Sequence, residues 1–140
     1  MVRPEGFTLL ELLASLALAA TLGGIGMARL PALLATARLA GTTHRLAATL
    51  REARGRALQR GMRIEVRFDP GRGTWEIREQ GGPTMETHTL PPGVTFTALP
   101  ASRRVRFTGI GTAENATVRL AAGGASRRVI LNQRGRVRVQ

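Results

Sequence analysis

A long apolar stretch without charge opens the chain. No side chain from residue 12 to residue 28 is charged, and between residues 7 and 12 the single charged residue is Glu11. Residues 7–27 would measure roughly 31 Å as an α-helix, which matches a hydrocarbon core of about 30 Å. Ala19 and Gly23 are small residues four positions apart, a spacing that lets a second helix approach closely. The pattern predicts a transmembrane helix over residues 7–28.

A cleaved secretory signal peptide is the alternative explanation of this stretch. The segment before it has only six residues, the apolar run is longer than a signal sequence needs, and Glu11 lies near its start. These three features favour an anchor that stays in the mature protein.

Apolar residues continue at helical spacing beyond the membrane segment. They recur at intervals of four, three and four residues, which places them in one stripe on a helix. The members of the stripe are Leu46, Leu50, Ala53 and Ala57. Glu52 and Arg56 are spaced for an i,i+4 ion pair. We therefore expect an amphipathic helix over residues 29–60 that ends near Gly61.

The period of the pattern changes from 3.6 to 2 after residue 61. Apolar and polar residues alternate in short segments, which turn sequences such as Asp69-Pro70-Gly71 separate, and a hairpin is expected around Gly123-Gly124. The apolar pairs of the predicted strands are Ile64 and Val66, Trp75 and Ile77, Val94 and Phe96, Val105 and Phe107, Val118 and Leu120, Val129 and Leu131, and Val137 and Val139. The order of elements predicts an α+β fold, in which a long N-terminal helix packs on an antiparallel β-sheet head over residues 61–140.

Residues 6–11 carry a resemblance to a known family. Their sequence, GFTLLE, followed by an apolar helix, resembles the prepilin motif of type IV pilins and type II secretion pseudopilins. The resemblance implies that a prepilin peptidase removes residues 1–6 as a leader by cutting between Gly6 and Phe7, and that the new amine of Phe7 is N-methylated. It also implies that Glu11 pairs with the Phe7 amine of a neighbouring subunit. A carboxylate in an apolar helix is otherwise costly, although the helix dipole favours an anion near its N-terminus.

The rest of the chain is similar to the GspH/FimT branch of minor pseudopilins. The resemblance rests on the helix end ARGRALQRG at residues 53–61, the strand–turn–strand segment with Trp75, and NQRGRVRV at residues 132–139. It implies a type IV pilin-like fold, other pilins or pseudopilins as partners, and a single-pass protein of the inner membrane with its head in the periplasm or on an extracellular fibre. In that branch, some proteins cap or initiate a type II secretion pseudopilus, and relatives in type IV pili support assembly or bind DNA during transformation.

The distribution of basic residues around the apolar segment disagrees with this orientation. Arg3 alone precedes the segment, whereas Arg29, Arg38 and Arg45 follow it. The positive-inside rule by itself would place the C-terminal region in the cytoplasm. Because the prepilin motif is the more specific signal, we expect the head outside the cytoplasm.

Positive charge is concentrated near the C-terminus. The chain has 21 basic residues, all of them arginine, against nine acidic ones, for a formal charge of +12. Residues 61–100 hold four arginines and five acids, whereas residues 101–140 hold nine arginines and Glu114 alone, which gives −1 and +8. Such a positive field attracts phosphate groups and anionic lipids.

The C-terminal arginines predict contact with DNA phosphates. Arg134 precedes a predicted turn, and Arg136 and Arg138 follow it in a Gly-Arg-x-Arg ending that resembles the DNA-binding FimT-type pilins. Arginines two apart on a strand are separated by roughly 6.7 Å, which matches every second phosphate of a DNA strand. Residues that would extend this surface are Arg104, Arg106, Arg127 and Arg128. The alternative is a solvated arginine row that keeps a terminal strand soluble, and the scarcity of aromatic residues argues against base stacking.

Catalysis has no candidate residues in this sequence. His44 and His88 fall in different predicted elements, cysteine is absent, and no group of residues has metal-ligand spacing. We therefore predict no metal, no cofactor and no enzymatic activity. The predicted function is that of a minor pseudopilin, an assembly or tip subunit of a type II secretion pseudopilus or type IV pilus. The alternative is a DNA-binding minor pilin that serves DNA uptake in natural transformation.

Overall fold

A computed structural model describes residues 8–140, apart from the side chains of residues 24–28. These residues form one helix and eight strands. The elements are α1 Leu9–Arg60, β1 Ile64–Asp69, β2 Thr74–Glu79, β3 Thr84–Thr89, β4 Thr95–Ala98, β5 Arg104–Phe107, β6 Ala116–Ala122, β7 Ala125–Leu131 and β8 Val137–Val139.

The start and the end of α1 follow from local sequence. Thr8 caps the helix, because its Oγ1 accepts a hydrogen bond from the Glu11 N–H at 3.3 Å. Thr8 and Glu11 have the Thr-x-x-Glu spacing of a capping box. At the other end, Gly61 has a φ of 62°, the left-handed conformation that commonly terminates helices. The predicted helix end near Gly61 is confirmed.

The chain divides into two compact units, the first ending at Leu34 and the second running from Ala35 to Gln140. The described leucines of α1 in the first unit are exposed. Within the residues that the structure describes, no helix is both long enough and apolar enough to cross a membrane. The division of the chain into a leader over residues 1–6, a membrane segment over residues 7–28, a helical continuation over residues 29–60 and a separate head over residues 61–140 stays a prediction.

Two antiparallel four-stranded sheets form the second unit together with the later part of α1. Sheet A has the strand order β3-β2-β1-β5, and sheet B has the order β4-β6-β7-β8. The α+β fold with an N-terminal helix on an antiparallel sheet is confirmed. A single sheet was expected from the sequence, and the structure has two because β5 pairs with β1 whereas β4 pairs with β6.

A single apolar core joins the helix and both sheets. The helical stripe predicted from spacing, from Leu46 to Ala57, is buried in it. Trp75 of β2 is fully buried, and its Nε1 donates a hydrogen bond to Thr49 Oγ1 of α1 at 3.3 Å. Phe96 of β4 packs edge-on against Phe68 of β1 and Trp75, with ring centroids 5.8 and 6.5 Å apart. These aromatic contacts connect sheet B to sheet A.

Strand β3 was not predicted from the sequence. Its residues, TMETHT, lack the apolar alternation of the other strands, and His88 is its one buried side chain. The His88 ring stacks on Trp75 with centroids 5.1 Å apart. An imidazole therefore covers the outer part of the core where an aliphatic residue would be expected.

The turns predicted from sequence are present. Asp69 Oδ1 accepts hydrogen bonds from the backbone N–H groups of Gly71 and Arg72 at 2.9 and 3.0 Å. The hairpin between β6 and β7 turns at Gly123 and Gly124, with φ values of 57° and 82°. Positive φ at both central residues suits the right-handed twist of a two-residue hairpin.

Candidate functional site

Four arginines share the outer surface of sheet B. Alternate residues of β6 and β7 are buried in the core, which directs Arg119 and Arg128 outward. These two residues lie directly opposite each other in the antiparallel pair. Arg138 of β8 lies opposite Ile130, two residues from Arg128, and Arg136 precedes Arg138 by two residues. We refer to Arg119, Arg128, Arg136 and Arg138 as the arginine face.

The arginine face has no compensating acid. Within residues 8–140, no ion pair includes any of its four guanidinium groups. Arg128 Nη2 instead donates a hydrogen bond to Gln140 Oε1 at 3.2 Å. Like charges directly opposite in a sheet are destabilising, so the pair Arg119 and Arg128 makes the face suited to an external anion.

The outer surface of sheet A is different because arginines and glutamates alternate there. Glu65 of β1 is only 4% exposed. Its carboxylate lies 2.8 Å from Arg67 Nε and 3.9 Å from Arg104 Nη1. Arg106 Nη2 lies 2.6 Å from Glu114 Oε1. Arg104 therefore shares one carboxylate with Arg67, and Arg106 is paired with Glu114. Both lie on a different sheet from the C-terminal arginines.

Arg127 and Arg134 complete the set of arginines predicted from sequence. Arg127 lies opposite Leu120, whose side chain is buried, so Arg127 and Arg128 are on opposite sides of β7. Arg134 is exposed in the turn after β7, where a shallow pocket of about 280 Å³ is lined by Arg134, Arg136, Asn115, Asn132 and Gln133. The structure thus brings together Arg128, Arg136 and Arg138 and places Arg134 beside them.

Gly135 positions the end of the arginine face. It has a φ of 70°, and a methyl group at this position would lie 2.6 Å from Arg54 Nε and from the Gly111 carbonyl oxygen. The turn therefore packs against α1 through a glycine that no larger residue can replace without movement. Asn132 Oδ1 accepts a hydrogen bond from the Arg136 N–H at 2.9 Å, which fixes the backbone where Arg136 leaves the turn.

We expect Gly135→Ala to destabilise the second unit more than Gly124→Ala. Both glycines have positive φ, which costs an alanine roughly 1–2 kcal/mol, but Gly124 has no neighbour within 4 Å of the added methyl group. Hydrogen exchange of β7 and β8 in the two variants measures the difference. Equal protection in both variants would contradict the close packing of Gly135 on Arg54.

Two arginines near this surface were not identified from sequence. Arg119 was overlooked because it stands alone among apolar residues of β6, although the period of two in that strand directs it outward. Arg51 of α1 is exposed, and its Nη2 donates a hydrogen bond to the Val137 carbonyl oxygen at 3.4 Å. No sequence signal relates Arg51 to β8, because 86 residues separate the two partners.

The predicted assembly site at the N-terminus is described only in part. Gly6 and Phe7 lie outside the described residues. Glu11 is exposed in the first turn of α1, and within residues 8–140 it has no ion pair. Cleavage between Gly6 and Phe7, methylation of Phe7 and the pairing of Glu11 with a neighbouring subunit stay predictions.

The two histidines occupy unrelated places. His44 is exposed on α1, whereas His88 is buried against Trp75. Among the described residues, no three His, Cys, Asp or Glu side chains are placed to hold a metal ion together.

Solved structures of pilin-like proteins share this fold. The type IV minor pilin FimU of Pseudomonas aeruginosa PAO1 aligns with a TM-score of 0.63 and 19% identity, over 73% of this chain and 87% of FimU. The minor pseudopilin EpsH from the type 2 secretion system of Vibrio cholerae aligns with a TM-score of 0.63 and 16% identity, over 74% of this chain and 96% of EpsH. A comparison with curated protein sequences gave no match.

A family model gives the more specific result. The model of the type II transport protein GspH matches residues 42–135, a range that includes the helical stripe and strands β1 to β7. It covers most of the chain and agrees with the resemblance found in the head sequence. This chain therefore belongs to the GspH family of minor pseudopilins and pilins of type II secretion and type IV pili.

Proposed function

We propose that this chain is an assembly or tip subunit of a type II secretion pseudopilus or type IV pilus. The observation that carries the proposal is a head of the GspH family, matched over residues 42–135, in the same chain as the prepilin-like segment GFTLLE. A prepilin peptidase cuts between Gly6 and Phe7, and the Phe7 amine is methylated. The apolar helix over residues 7–28 then holds the subunit in the inner membrane, with its head in the periplasm or on the fibre.

Glu11 is the residue that we assign to subunit pairing. The carboxylate is exposed, which leaves it accessible to the Phe7 amine of a neighbouring subunit. Glu11 also occupies the third helical position of a capping box, where glutamate and glutamine are equivalent. Glutamine at this position therefore separates the two roles, because it keeps the cap and removes the charge.

We expect Glu11→Gln to lower the incorporation of this chain into fibres by about tenfold or more. In the proposed fibre, Glu11 and the Phe7 amine of the neighbour would be enclosed between apolar helices. Breaking a buried ion pair by removing one partner costs several kcal/mol, and each 1.4 kcal/mol is a factor of ten in an equilibrium. Immunoblots of sheared fibres and of cell envelopes measure the incorporated fraction. Mass spectrometry of the same fibres tests for loss of residues 1–6 and for methylation of Phe7.

Ser15→Ala is the matched control, since Ser15 is one turn further along and its hydroxyl donates to the Glu11 carbonyl oxygen without carrying charge. It should assemble like the wild type. Normal incorporation of Glu11→Gln would remove the pairing role of Glu11. If the wild-type chain were absent from both type II secretion pseudopili and type IV pili, the proposed function itself would be wrong.

DNA binding is a second candidate function, and the arginine face is the observation that favours it. Four exposed guanidinium groups on one sheet surface, without an acid among the described residues in reach, suit a ligand with repeating phosphates. Such guanidinium groups would contact the phosphate backbone of DNA, and these contacts do not distinguish one base sequence from another. The chain would then serve DNA uptake as a minor pilin.

Neither proposal includes catalysis. The GspH family consists of structural pseudopilins. In this chain His44 is exposed on α1, whereas His88 is stacked on Trp75 with its Nε2 3.0 Å from Glu86 Oε1, a contact that fixes a buried imidazole within β3. The arginines of sheet B are suited to binding rather than to proton transfer, because guanidinium groups keep their charge in proteins.

A further inference from the structure

The carboxyl end of α1 is the place where the second unit exposes large apolar side chains. Within residues 35–140, all of which the structure describes, the exposed large hydrophobic residues are Leu58, Met62 and Ile110. They are 47%, 50% and 80% exposed. We refer to these three residues as the apolar patch. Neither Glu11 nor the arginine face belongs to it.

Ile110 lies at the tip of a closed loop. Phe107 and Ala113 form a β-bridge at the base of the loop. The Thr108 N–H donates to the Thr112 carbonyl oxygen at 2.9 Å, and the two hydroxyl groups lie 2.7 Å apart. The loop is therefore fixed by its own hydrogen bonds, and it presents Ile110 in one position.

Contacts with α1 hold the same loop in place. A methyl group at Gly109 would lie 2.5 Å from the carbonyl carbon and oxygen of Gly61, and one at Gly111 would lie 2.9 Å from Leu58 Cδ2. The Gly111 carbonyl oxygen accepts a hydrogen bond from Arg54 Nε at 3.0 Å. The glycines on both sides of Ile110 thus bring the loop onto the helix end, next to Leu58 and to Gly61, which Met62 follows.

A large apolar side chain held rigidly in solvent is typical of a binding anchor. Burying an isoleucine removes apolar surface from water, and a rigid loop loses little conformational entropy when a partner binds. Residues of this kind dominate the affinity of protein interfaces when they enter a pocket. The tips of turns are more often occupied by Gly, Pro, Asn, Asp or Ser than by a large apolar residue.

Charge decides which partner fits. Residues 35–140 contain 19 arginines and seven acidic residues, a net charge of +12, so two copies of this head repel each other. Arg63 is exposed and, among the described residues, takes part in no ion pair. With Thr108 and Thr112 it lines a pocket of about 310 Å³ at the base of the loop. The one carboxylate in the lining, Glu114, is paired with Arg106, so Arg63 leaves the pocket with a net positive charge. An acidic partner is therefore complementary to the surroundings of the apolar patch.

We propose that the apolar patch docks the acidic head of a different pilin-family subunit, which accepts Ile110 in an apolar pocket and offers a carboxylate to Arg63. The inference rests on the proposed function as a fibre subunit. The apolar patch would be the surface of this chain that contacts the next subunit in the fibre.

Site-specific crosslinking in the full-length chain tests this docking surface. The chain contains no cysteine, so Ile110→Cys creates a single thiol that can carry a benzophenone in isolated envelopes and fibres. Thr95→Cys, on the exposed side of β4, is the matched control. After irradiation, we expect the label at position 110 to join a pilin-family subunit with a net acidic head, in at least tenfold higher yield than at position 95.

Three results would overturn the inference: equal yields at the two positions, a crosslink between two copies of this chain, or a crosslink to a protein outside the pilin family. The fraction of this chain in sheared fibres is measured in the same preparation. Normal incorporation without the expected crosslink refutes the docking surface alone. Absence of the chain from fibres refutes the proposed function, and the docking surface with it.

Substitutions at two positions separate the apolar and the charged contributions to binding. Ile110→Ser should weaken co-purification with the crosslinked subunit roughly tenfold to a hundredfold, and Ile110→Leu should restore it. Arg63→Gln should reduce the salt sensitivity of co-purification, since it removes a charge at the rim. Circular dichroism checks folding, which a residue as exposed as Ile110 is not expected to alter. Unchanged co-purification of Ile110→Ser would contradict the proposal.

Discussion

Replacing Arg128, Arg136 and Arg138 together with glutamine is expected to weaken the salt dependence of binding to duplex DNA. The slope of log K against log salt should decrease in magnitude by about 2.7, since each phosphate contact contributes about 0.9 to it. Between 50 and 200 mM salt, the wild type should then lose about fortyfold more affinity than the variant. The reason is structural: the three guanidinium groups share one surface and, within residues 8–140, have no ion pairs to lose.

The measurement is a fluorescence titration of full-length protein in detergent against two duplexes of unrelated sequence. Both duplexes should respond equally, because phosphate contacts carry no sequence information. The control replaces Arg38, Arg45 and Arg72, which are also exposed but belong to no strand of sheet B. Arg38 and Arg45 line a pocket with Trp75 and Thr89 of sheet A, and Arg72 lies in the turn between β1 and β2. If the control lowers the slope as much as the triple variant does, binding follows net charge and the arginine face is not a site.

The arginine face could be predicted from sequence only in part. The clustering of charge in residues 101–140 and the separation of Arg136 and Arg138 by two positions were sufficient to find its C-terminal end. Its other half depends on the register that places Arg119 of β6 opposite Arg128 of β7. Strand pairing of this kind is determined by contacts distant in sequence, and a local pattern does not contain it.

The alternation of side chains along a strand is nevertheless sufficient to separate Arg127 from Arg128. Consecutive residues of a strand point to opposite faces, so the two could not extend one surface together. Arg104 and Arg106 are a different case. Their ion pairs with Glu65 and Glu114 arise from the pairing of β5 with β1 and from the loop after β5, neither of which follows from local spacing.

More of the fold than of the candidate site could be predicted from the sequence, because the fold depends mainly on the periodicity of apolar residues. The helix stripe, the end of α1 at Arg60 and seven strands follow from apolar spacing and turn residues. Strand β3 could not be found in this way, since its inward-facing His88 is polar and is buried by stacking on Trp75. The division into two sheets could not be predicted either, because strands of both sheets have the same alternation of apolar and polar residues.

Trp75→Ala is expected to lower the free energy of unfolding of the second unit by about 3–5 kcal/mol. Trp75 is fully buried, and its ring contacts His88 of β3 and Phe96 of β4 while its Nε1 bonds to Thr49 of α1. Its removal leaves a cavity where the helix and both sheets meet. Hydrogen exchange of β1 and β2 measures the loss, since Trp75 is the only tryptophan and cannot be both the site and the fluorescent probe.

Trp75→Phe separates the packing of the ring from its hydrogen bond. Phenylalanine keeps an aromatic ring between His88 and Phe96, and it removes the donor to Thr49 Oγ1, a change worth about 1 kcal/mol. Thr49→Val removes the acceptor, and in the double variant the two losses should combine less than additively, because the residues are in contact. A loss below about 1 kcal/mol for Trp75→Ala, well under the usual range for a buried tryptophan, would mean that the sheets do not depend on this residue. In that case, residues other than Trp75 would hold the helix and the two sheets together beneath the arginine face.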